Sequence, residues 1–342
     1  MRTDQLDYAL PHELIAQRPA ERRDDSRLLV HRRDGSIEHR RFAALPELLD
    51  PSDLVVVNSS RVLRARIAVR RPSGGSGEVL LLEERGDGLW EALVRPSRRV
   101  RPGFVLAAAT GELAIEPVTA LGQGRWLVRP SLAGAALERA LEAAGRLPLP
   151  PYVRDPTVPD DRYQTVYARQ PGSAAAPTAG LHFTPELWER VRVRCEVAEV
   201  ELRVGLDTFR PVAAETLEQH PMHSEAYRVT PAARAAIGAA VAAGRRVVCI
   251  GTTSVRVVET IADPAAPDEG RTSLLIAPGY RFAAVAALVT NFHLPRSTLL
   301  ALVMAFSGVE QTRRIYAEAI RERYRFYSFG DASLLEAPER PR

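Results

Sequence analysis

The sequence predicts an α/β protein that carries a small antiparallel β-barrel as an insertion. From residue 165 onward, strand-like runs alternate with helix-like runs, which is typical of a mostly parallel sheet covered by helices. Between 61 and 147, short strand-like runs are separated by the turn sequences SGGSG, GDG and GQG, which favours a barrel. Residues 1–60 again mix strand and helix patterns. The barrel over 61–147 therefore interrupts one large domain made of 1–60 and 148–342.

The elements before residue 148 follow from local patterns. The segment LPHELIAQRP predicts a short helix that Pro19 ends, and SRLLVHRR and DLVVVNSS predict strands. The barrel strands are predicted at RVLRARIAVR, GEVLLLEE, LWEALVRPS, GFVLAAA, GELAIEPV and GRWLVRP. A helix over SLAGAALERALEAAGRL then ends near Gly145.

The second half begins with a proline-rich crossing, PLPPYVRDPTVPDDRYQ, and then returns to alternating elements. Strands are predicted at CEVAEVELRV, RRVVCIG and AALVTNF. Helices are predicted at TPELWERVRV, TPAARAAIGAAVAAG, TSVRVVETIA and STLLALVMAFSG. Thr184 and Pro185 are suited to the N-cap and first position of the first of these helices.

Composition excludes several classes of protein. The 342 residues contain no apolar run of 18 and no N-terminal secretory signal, so we expect a cytoplasmic protein without a membrane span. Cys195 and Cys249 lie far apart in apolar runs, so no disulfide framework is expected. The 46 basic residues are all arginine. That count excludes a Schiff-base lysine, a P-loop lysine and a lysine general base.

Arginines form three clusters, at 61–71, 95–101 and 313–325, in a chain of net charge +4. Each cluster taken alone is typical of a solvated surface. Three clusters, the last with aromatic residues beside it, also fit a polyanionic partner such as nucleic acid. The candidate nucleic-acid contacts are Arg95, Arg98, Arg99 and Arg101.

Polar residues separate two apolar runs in AALVTNFHLPRSTLLALVMAF, residues 286–306. The pattern predicts a strand, a polar loop, and a helix capped by Ser297 or Thr298. Asn291 and His293 would then lie at the carboxyl end of a strand, where the sites of parallel α/β proteins form. A structural histidine that satisfies loop carbonyl groups is the alternative interpretation.

Four other segments place polar groups where strand-like runs end. They are APTAGLHFT with Thr178, Gly180 and His182, GTTSVR with Thr252, Thr253, Ser254 and Arg256, NSSR with Asn58 and Arg61, and HPMHSE with His220, His223 and Glu225. Hydroxyl groups, exposed N–H groups and a guanidinium at GTTSVR would bind a carboxylate or phosphate, with helix capping as the alternative. The two histidines of HPMHSE lack the spacing of a zinc site, so no metal is predicted.

Read together, these segments resemble the S-adenosylmethionine:tRNA ribosyltransferase-isomerase family of the queuosine pathway. The resemblance extends over about 6–335, and its most specific motifs are APTAGLHFT and TNFHLPRSTL. Further matches are YALPHELIAQRP, SRLLV, ALVRPSRRVRPG, PLPPY, RYQTVYA, TFRPV, HPMHSE, GTTSVR, PGYRF and RYRFYSFGDA. The resemblance implies a large barrel-like α/β domain with a small β-barrel inserted.

The resemblance also implies the reaction. Ribose from S-adenosylmethionine is transferred to the aminomethyl group of a 7-deazaguanine in a tRNA anticodon stem-loop and isomerised to epoxyqueuosine, with adenine and methionine released. S-adenosylmethionine is then a consumed substrate, and no cofactor is expected. A base must take a proton beside the sulfonium, and neutral histidine suits that task at pH 7. The candidates are His182 and His293, followed by His223.

The resemblance further implies substrate contacts. Asn58 and Asn291 would bind an adenine edge or ribose hydroxyls, and Arg256 the methionine carboxylate. Tyr280 or Phe292 would face the sulfonium through a cation–π contact. The other expected substrate contacts are Arg61, Thr178, Gly180, Thr252, Thr253 and Ser254.

The sequence departs from the family pattern at three places. Ser59 replaces an aspartate, Arg203 replaces the histidine of an HVG strand end, and the segment 271–277 lacks the usual aromatic residues. These departures concern the acceptor more than the donor. The alternatives are a paralogue that uses S-adenosylmethionine on a different acceptor and a non-catalytic RNA-binding protein. We expect a monomer or weak homodimer.

Overall fold

A computed structural model describes residues 1–150, 152–153, 155, 157–205 and 211–337. The strands in these residues are β1 Arg27–His31, β2 Ile37–Arg41, β3 Leu54–Asn58, β4 Ser60–Val62, β5 Arg66–Arg70, β6 Ser76–Gly86, β7 Leu89–Arg95, β8 Leu106–Ala108, β9 Ala114–Gly122, β10 Arg125–Pro130, β11 Gly145–Arg146, β12 Gln170–Ser173, β13 Glu196–Leu202, β14 Glu225–Val229, β15 Val247–Ile250, β16 Glu269–Thr272, β17 Val285–Asn291 and β18 Ala332–Glu336. The helices are α1 Leu45–Leu48, α2 Gly134–Ala144, α3 Pro185–Arg194, α4 Pro231–Ala242, α5 Thr252–Ile261, α6 Thr298–Ser307 and α7 Val309–Arg321.

The chain divides into two compact units. The first comprises Met1–Ser60, Tyr152–Arg169 and Pro177–Arg342, and the second comprises Arg61–Pro151 and Gln170–Ala176. The predicted domain boundaries at 61 and 147 stay a prediction. The second unit differs from the predicted insert by including a returning segment, in which the Ser173 carbonyl accepts the Leu63 N–H at 3.0 Å.

The first unit is built on a nine-stranded mixed sheet. Its strand order is β16-β14-β13-β3-β15-β17-β18-β1-β2. The pairs β13–β3, β3–β15 and β15–β17 are parallel, and β1–β18 is a further parallel pair. The remaining pairs are antiparallel. This arrangement confirms the predicted α/β class.

The central strand β3 shows why this sheet needs cover on both faces. All five of its residues are buried. Leu54 and Val56 pack in one core with residues of α4, α5 and α6, whereas Val55 and Val57 pack in a second core with α3. A strand buried on both faces is expected to be continuously apolar, as LVVV is, and apolar cover of both faces removes it from water.

The second unit contains the antiparallel barrel that the sequence predicts. Strands β5, β6, β7, β10, β9 and β8 pair in that order, and a β5–β8 pairing closes the sheet. On β5, Ile67 and Val69 are buried while Ala68 and Arg70 are exposed. This alternation places one face of each strand in the barrel interior.

One predicted helix is wrong. In LPHELIAQRP only His12–Leu14 form a 3₁₀ turn. The chain then pairs with a distant strand-like segment, since Ile15 forms a parallel bridge with Phe326 and the Ala16 N–H donates to the Phe326 carbonyl. Tertiary pairing therefore overrides the local helical pattern.

The helix starts agree with the predicted caps at two places and differ at a third. Thr184 Oγ1 accepts the Leu187 N–H at 3.1 Å, and Ser297 Oγ accepts the Leu300 N–H at 3.1 Å. At α5, however, the cap is Gly251, whose φ of 88° is readily adopted by glycine. The alternative reading of Thr252, Thr253 or Ser254 as N-caps is thus wrong, because these residues already lie in the helix.

Strand topology positions the site. Strands β13, β3, β15 and β17 are mutually parallel, so their carboxyl ends meet at one edge of the sheet. At this edge lie Asn58, Asn291 and the start of α5. In the described ranges, no helix is long and apolar enough to cross a membrane.

Candidate active site

A group made of the partly buried Thr178 and the buried Asn291 and His182 lies where β17 ends. Thr178 Oγ1 donates to Asn291 Oδ1 at 3.0 Å, and Asn291 Nδ2 lies 3.1 Å from His182 Nε2. The same Nδ2 donates to the Tyr327 carbonyl at 3.2 Å. Because an amide nitrogen can only donate, His182 Nε2 accepts, and the neutral ring carries its proton on Nδ1. Burial lowers the pKa of His182 to about 4, so the ring is neutral at pH 7.

The segment that carries His182 needs glycine at one position. Residues Thr178–His182 form a tight 3₁₀ turn. A Cβ on Gly180 would lie 2.0 Å from Tyr167 Oη and 2.8 Å from Thr165 Cγ2, far inside contact distance. Gly180 thus lets the turn pack against Tyr167. Its predicted role as a direct substrate contact stays a prediction.

His293 is held by a different set of partners. Its Nε2 lies 2.9 Å from Thr290 Oγ1, and its N–H donates to Tyr316 Oη at 3.0 Å. Its carbonyl accepts from the Tyr8 hydroxyl. Burial lowers the pKa of His293 to about 3. Phe292, between the two polar residues, is fully buried among Tyr316, Tyr324 and Phe326 rather than at a site edge.

A third histidine, His223, lies next to buried charges. Glu225 Oε1 lies 3.2 Å from His223 Nε2 and accepts the Gly205 N–H at 2.9 Å. Glu225 Oε2 accepts from Arg256 Nη1. Burial opposes ionisation of Glu225, but the hydrogen bond from His223 and the charge of Arg256 outweigh it, so the pKa of the carboxyl group is lowered. We refer to His223, Glu225 and Arg256 as the ionic triad.

Each of the three guanidinium nitrogens of Arg256 donates to a protein group. Besides Glu225, it donates Nε to the Leu274 carbonyl and Nη2 to the Thr272 carbonyl, both at 3.2 Å. Its predicted contact with a methionine carboxylate stays a prediction, and in this geometry the guanidinium holds the Glu225 carboxylate and two backbone carbonyls.

Two other predicted substrate contacts also have partners in the protein. Asn58 Nδ2 donates to the Leu202 carbonyl, and Asn58 Oδ1 accepts the N–H groups of Leu202 and Ser60, each at 3.1 Å. The side chain thus joins the ends of β3 and β13. Tyr280 Oη donates to Glu259 Oε2 at 3.1 Å. Their substrate roles remain predictions.

The start of α5 offers one side chain with an unused polar group. Ser254 Oγ donates to the Ile250 carbonyl at 2.8 Å, and Thr252 is buried. Thr253 Oγ1 is buried without a hydrogen-bond partner in the part of the chain that the structure describes. The predicted substrate contacts of Thr252, Thr253 and Ser254 stay predictions.

The predicted arginine contacts lie in the second unit. Arg61 Nη1 pairs with Glu142 Oε1 at 2.8 Å. Four further arginines are exposed and form no ion pair with any described carboxylate, namely Arg95, Arg98, Arg99 and Arg101. Exposed guanidinium groups without carboxylate partners keep their charge available to a polyanion.

The remaining expectations concern metals, cysteines and the departures from the family pattern. No group of three or more His, Cys, Asp or Glu side chains suited to a metal occurs in the described ranges. Cys195 and Cys249 are buried, and burial raises the pKa of both thiols.

Of the residues that depart from the family pattern, Ser59 is buried, whereas Arg203 is exposed. Residues 208–210 of the TFRPV match and Pro151 of PLPPY lie outside the described residues.

Sequence reasoning missed the residues that hold the candidate histidines. Tyr8 and Tyr316, which fix the backbone of His293, are far from it in the chain, and no local pattern predicts their convergence. The sequence places Glu225 two residues after His223, and this spacing is the one local signal that a carboxylate accompanies the histidine.

The fold and the site define the chain as an α/β protein with a separate β-barrel and with polar side chains gathered at the carboxyl edge of its parallel strands. It belongs to the queuosine biosynthesis protein family, whose model matches residues 3–335. The resemblance inferred from the motifs is therefore confirmed.

Named relatives match the chain over nearly its whole length. An S-adenosylmethionine:tRNA ribosyltransferase-isomerase from Rubrobacter xylanophilus is 54% identical, covering 98% of both chains. The protein of the same name from Symbiobacterium thermophilum is 51% identical over 98% of this chain and 100% of its own. A crystal structure of S-adenosylmethionine tRNA ribosyltransferase from Thermotoga maritima is 38% identical, with a TM-score of 0.56, and covers 97% of this chain and 99% of that one.

Proposed function

We propose that the protein transfers the ribosyl moiety of S-adenosylmethionine to 7-aminomethyl-7-deazaguanine in tRNA and isomerises it to epoxyqueuosine, releasing adenine and methionine. One observation carries this proposal. Relatives with the ribosyltransferase-isomerase name share about half of the aligned residues with this chain, over 98% of its length. S-adenosylmethionine serves as a consumed substrate in the proposed reaction.

The proposed chemistry requires a base. A sulfonium makes the protons on the adjacent ribose carbon acidic, and a neutral imidazole can accept one. The three candidate histidines are His182, His223 and His293. His182 and His293 are neutral at pH 7 because burial lowers the pKa of each.

His182 is suited to binding the donor nucleoside. Its Nε2 is occupied by Asn291, so its Nδ1–H is the group that can donate to an acceptor atom of adenine or ribose. A neutral imidazole donor of this kind stabilises developing negative charge without first losing a proton. Thr178 and Asn291 orient the ring, and Thr253 adds a hydroxyl for a second polar contact.

The tRNA is proposed to bind the exposed arginines Arg95, Arg98, Arg99 and Arg101. Phosphate contacts of arginine position a nucleic acid without reading its sequence. Specificity for the anticodon stem-loop must then come from contacts to the bases. This assignment rests on the exposure and unpaired charge of these side chains.

The test is a reconstituted reaction. Purified protein is incubated with S-adenosylmethionine and tRNA carrying the 7-aminomethyl-7-deazaguanine base, and adenine, methionine and the product nucleoside are identified by mass. We expect stoichiometric adenine release and an epoxyqueuosine product. If adenine is released but the tRNA is left unchanged, the result would instead support the paralogue with another acceptor. Tight tRNA binding without adenine release would support a non-catalytic RNA-binding protein. Neither alternative is favoured by the relatives.

A further inference from the structure

The ionic triad buries charged groups, and removing charges from water costs free energy. Side-chain exposure is 6% for Arg256 and 4% for Glu225. Replacing a buried ion pair by apolar residues is often neutral or stabilising, so such a pair is weak evidence of a purely structural purpose. The triad leads instead to a partly exposed group, the His223 side chain, which is 19% exposed.

The geometry of the triad fixes one tautomer of His223. Glu225 Oε1 faces Nε2 at 3.2 Å, so Nε2 carries the proton of the neutral ring and Nδ1 carries the lone pair. A carboxylate behind an imidazole orients the ring and stabilises the imidazolium that forms when a proton is taken up. Arg256 and the Gly205 N–H hold the carboxylate in turn.

The triad lies at the edge of the sheet where the other candidate residues lie. Strand β14 runs antiparallel to β13, so β14 begins where β13 ends. Glu225 is its first residue, and the Arg203 N–H donates to the Ala226 carbonyl at 2.9 Å. Arg256 belongs to the first half of α5, the helix that follows β15. The triad thus belongs to the carboxyl edge of the parallel strands, where sites of α/β proteins form.

The other histidines near carboxylates or in the site differ from His223. Neither His182 nor His293 forms a hydrogen bond to a described carboxylate. His39 Nε2 lies 3.1 Å from Glu318 Oε1, but His39 belongs to β2 at the outer edge of the sheet.

We infer that His223 is the general base of the proposed reaction and that Glu225, held by Arg256, is its positioning residue. This inference rests on the proposed function. The C–H bond beside the sulfonium breaks, and its electron pair stays on that carbon next to the positive sulfur. The proton moves to His223 Nδ1, and the resulting imidazolium is paired with the Glu225 carboxylate. The described titratable and charged groups around His223 are Glu225, Arg256 and His220.

The experiment compares His223→Ala with His220→Ala. His220 lies in the same loop, three residues earlier, and is also partly buried. Turnover of S-adenosylmethionine with the 7-aminomethyl-7-deazaguanine tRNA is measured with and without added imidazole. We expect His223→Ala to lower kcat by about 10²–10⁴, since positioned bases contribute that much, and added imidazole to restore part of it. His220→Ala should stay within about threefold of the native enzyme.

Glu225→Gln tests the positioning role. Loss of the carboxylate charge leaves the imidazolium of His223 without its counter-ion, so kcat should fall by about 10-fold or more while KM for S-adenosylmethionine changes little. Should Glu225→Gln fail to fold because Arg256 loses its counter-ion, Glu225→Gln/Arg256→Met removes both charges and gives the same reading.

The outcomes separate the inference from the proposed function. A native protein that releases no adenine overturns the proposed function and this inference with it. An active native protein whose His223→Ala variant keeps native turnover overturns the inference alone. So does a His223→Ala variant that imidazole does not restore, or a carboxylate variant whose kcat is unchanged or whose KM changes as much as its kcat, because a merely structural triad would behave in that way.

Discussion

The two histidine groups at the sheet edge differ in whether a charged side chain lies against the imidazole. The group of Thr178, Asn291 and His182 contains only neutral hydrogen bonds, and burial there disfavours the imidazolium. The ionic triad places a carboxylate against its histidine, so an imidazolium there has a counter-ion. The difference teaches that burial alone keeps a histidine neutral, so that each ring nitrogen stays either a donor or an acceptor. A histidine that must take up a proton during a reaction needs a counter-charge.

The largest expected effect concerns the stability of the triad. Arg256→Ala leaves Glu225 buried without its guanidinium, and removing one partner of a buried pair costs about 3–5 kcal/mol. Urea-induced unfolding measures the loss. The control is Arg245→Ala, which removes a more exposed pair with Glu196 at 2.8 Å and should cost less than about 1 kcal/mol. Equal losses in the two variants would show that the triad is not a tightly coupled buried unit.

The next effect separates two buried histidines. His182→Ala should lower turnover by about 10²–10⁴ if its Nδ1–H acts on the donor nucleoside, with the fold retained. His293→Ala should mainly lower stability, by about 1–3 kcal/mol, since Thr290 loses a partner in the interior. Steady-state kinetics and thermal unfolding are measured on both variants. A His293→Ala variant that folds normally yet loses turnover as His182→Ala does would make His293 a catalytic residue as well.

The pH dependence of stability sharpens the comparison. The pKa values of His182 and His293 are lowered from 6.5 to about 4 and about 3, so unfolding takes up protons below about pH 6.5. The contribution of these two rings to the free energy of unfolding is fully present above pH 6.5. It falls as the pH drops towards 4, by about 1.4 kcal/mol per pH unit for each ring. The lowered pKa of Glu225 acts in another window, because its contribution is lost only below about pH 4.5.

Unfolding free energies between pH 7 and pH 5 measure that slope. We expect His182→Gln and His293→Gln each to flatten it, because each removes a ring whose pKa is lowered by burial. Glu225→Gln should not flatten the slope between pH 5 and 6.5. An unchanged slope in both buried variants would mean that neither ring is kept neutral by its surroundings.

The smallest effect concerns the exposed arginines of the second unit and their contribution to tRNA affinity. Arg98→Gln/Arg99→Gln should reduce the slope of log K for tRNA against log salt by about 1.4–1.8, at 0.7–0.9 per phosphate contact. The affinity for S-adenosylmethionine should not change. The control, Arg66→Gln/Arg129→Gln, removes the same charge from arginines that pair with Glu78 and Glu116. An equal reduction by the control would indicate a general effect of net charge.

The sequence alone determined the fold class, the family and the identity of most candidate residues. Continuous apolar runs such as LVVV in β3 predict buried parallel strands, and short runs between glycine-rich turns predict the barrel, because both patterns depend on local periodicity. The motif APTAGLHFT likewise marked Thr178, Gly180 and His182. Even the caps at Thr184 and Ser297 follow from nearest-neighbour chemistry.

Tertiary structure decided the environment of each candidate. Asn58 and Asn291 end similar apolar strands, yet one joins two backbone segments and the other contacts a histidine. The segment LPHELIAQRP pairs with Phe326 instead of forming the predicted helix, and helix α7 was not anticipated. Arg256 faces a carboxylate 31 residues away in the chain. A pKa or a hydrogen bond depends on which groups converge in space, and that convergence is set by packing between elements that are distant in the sequence.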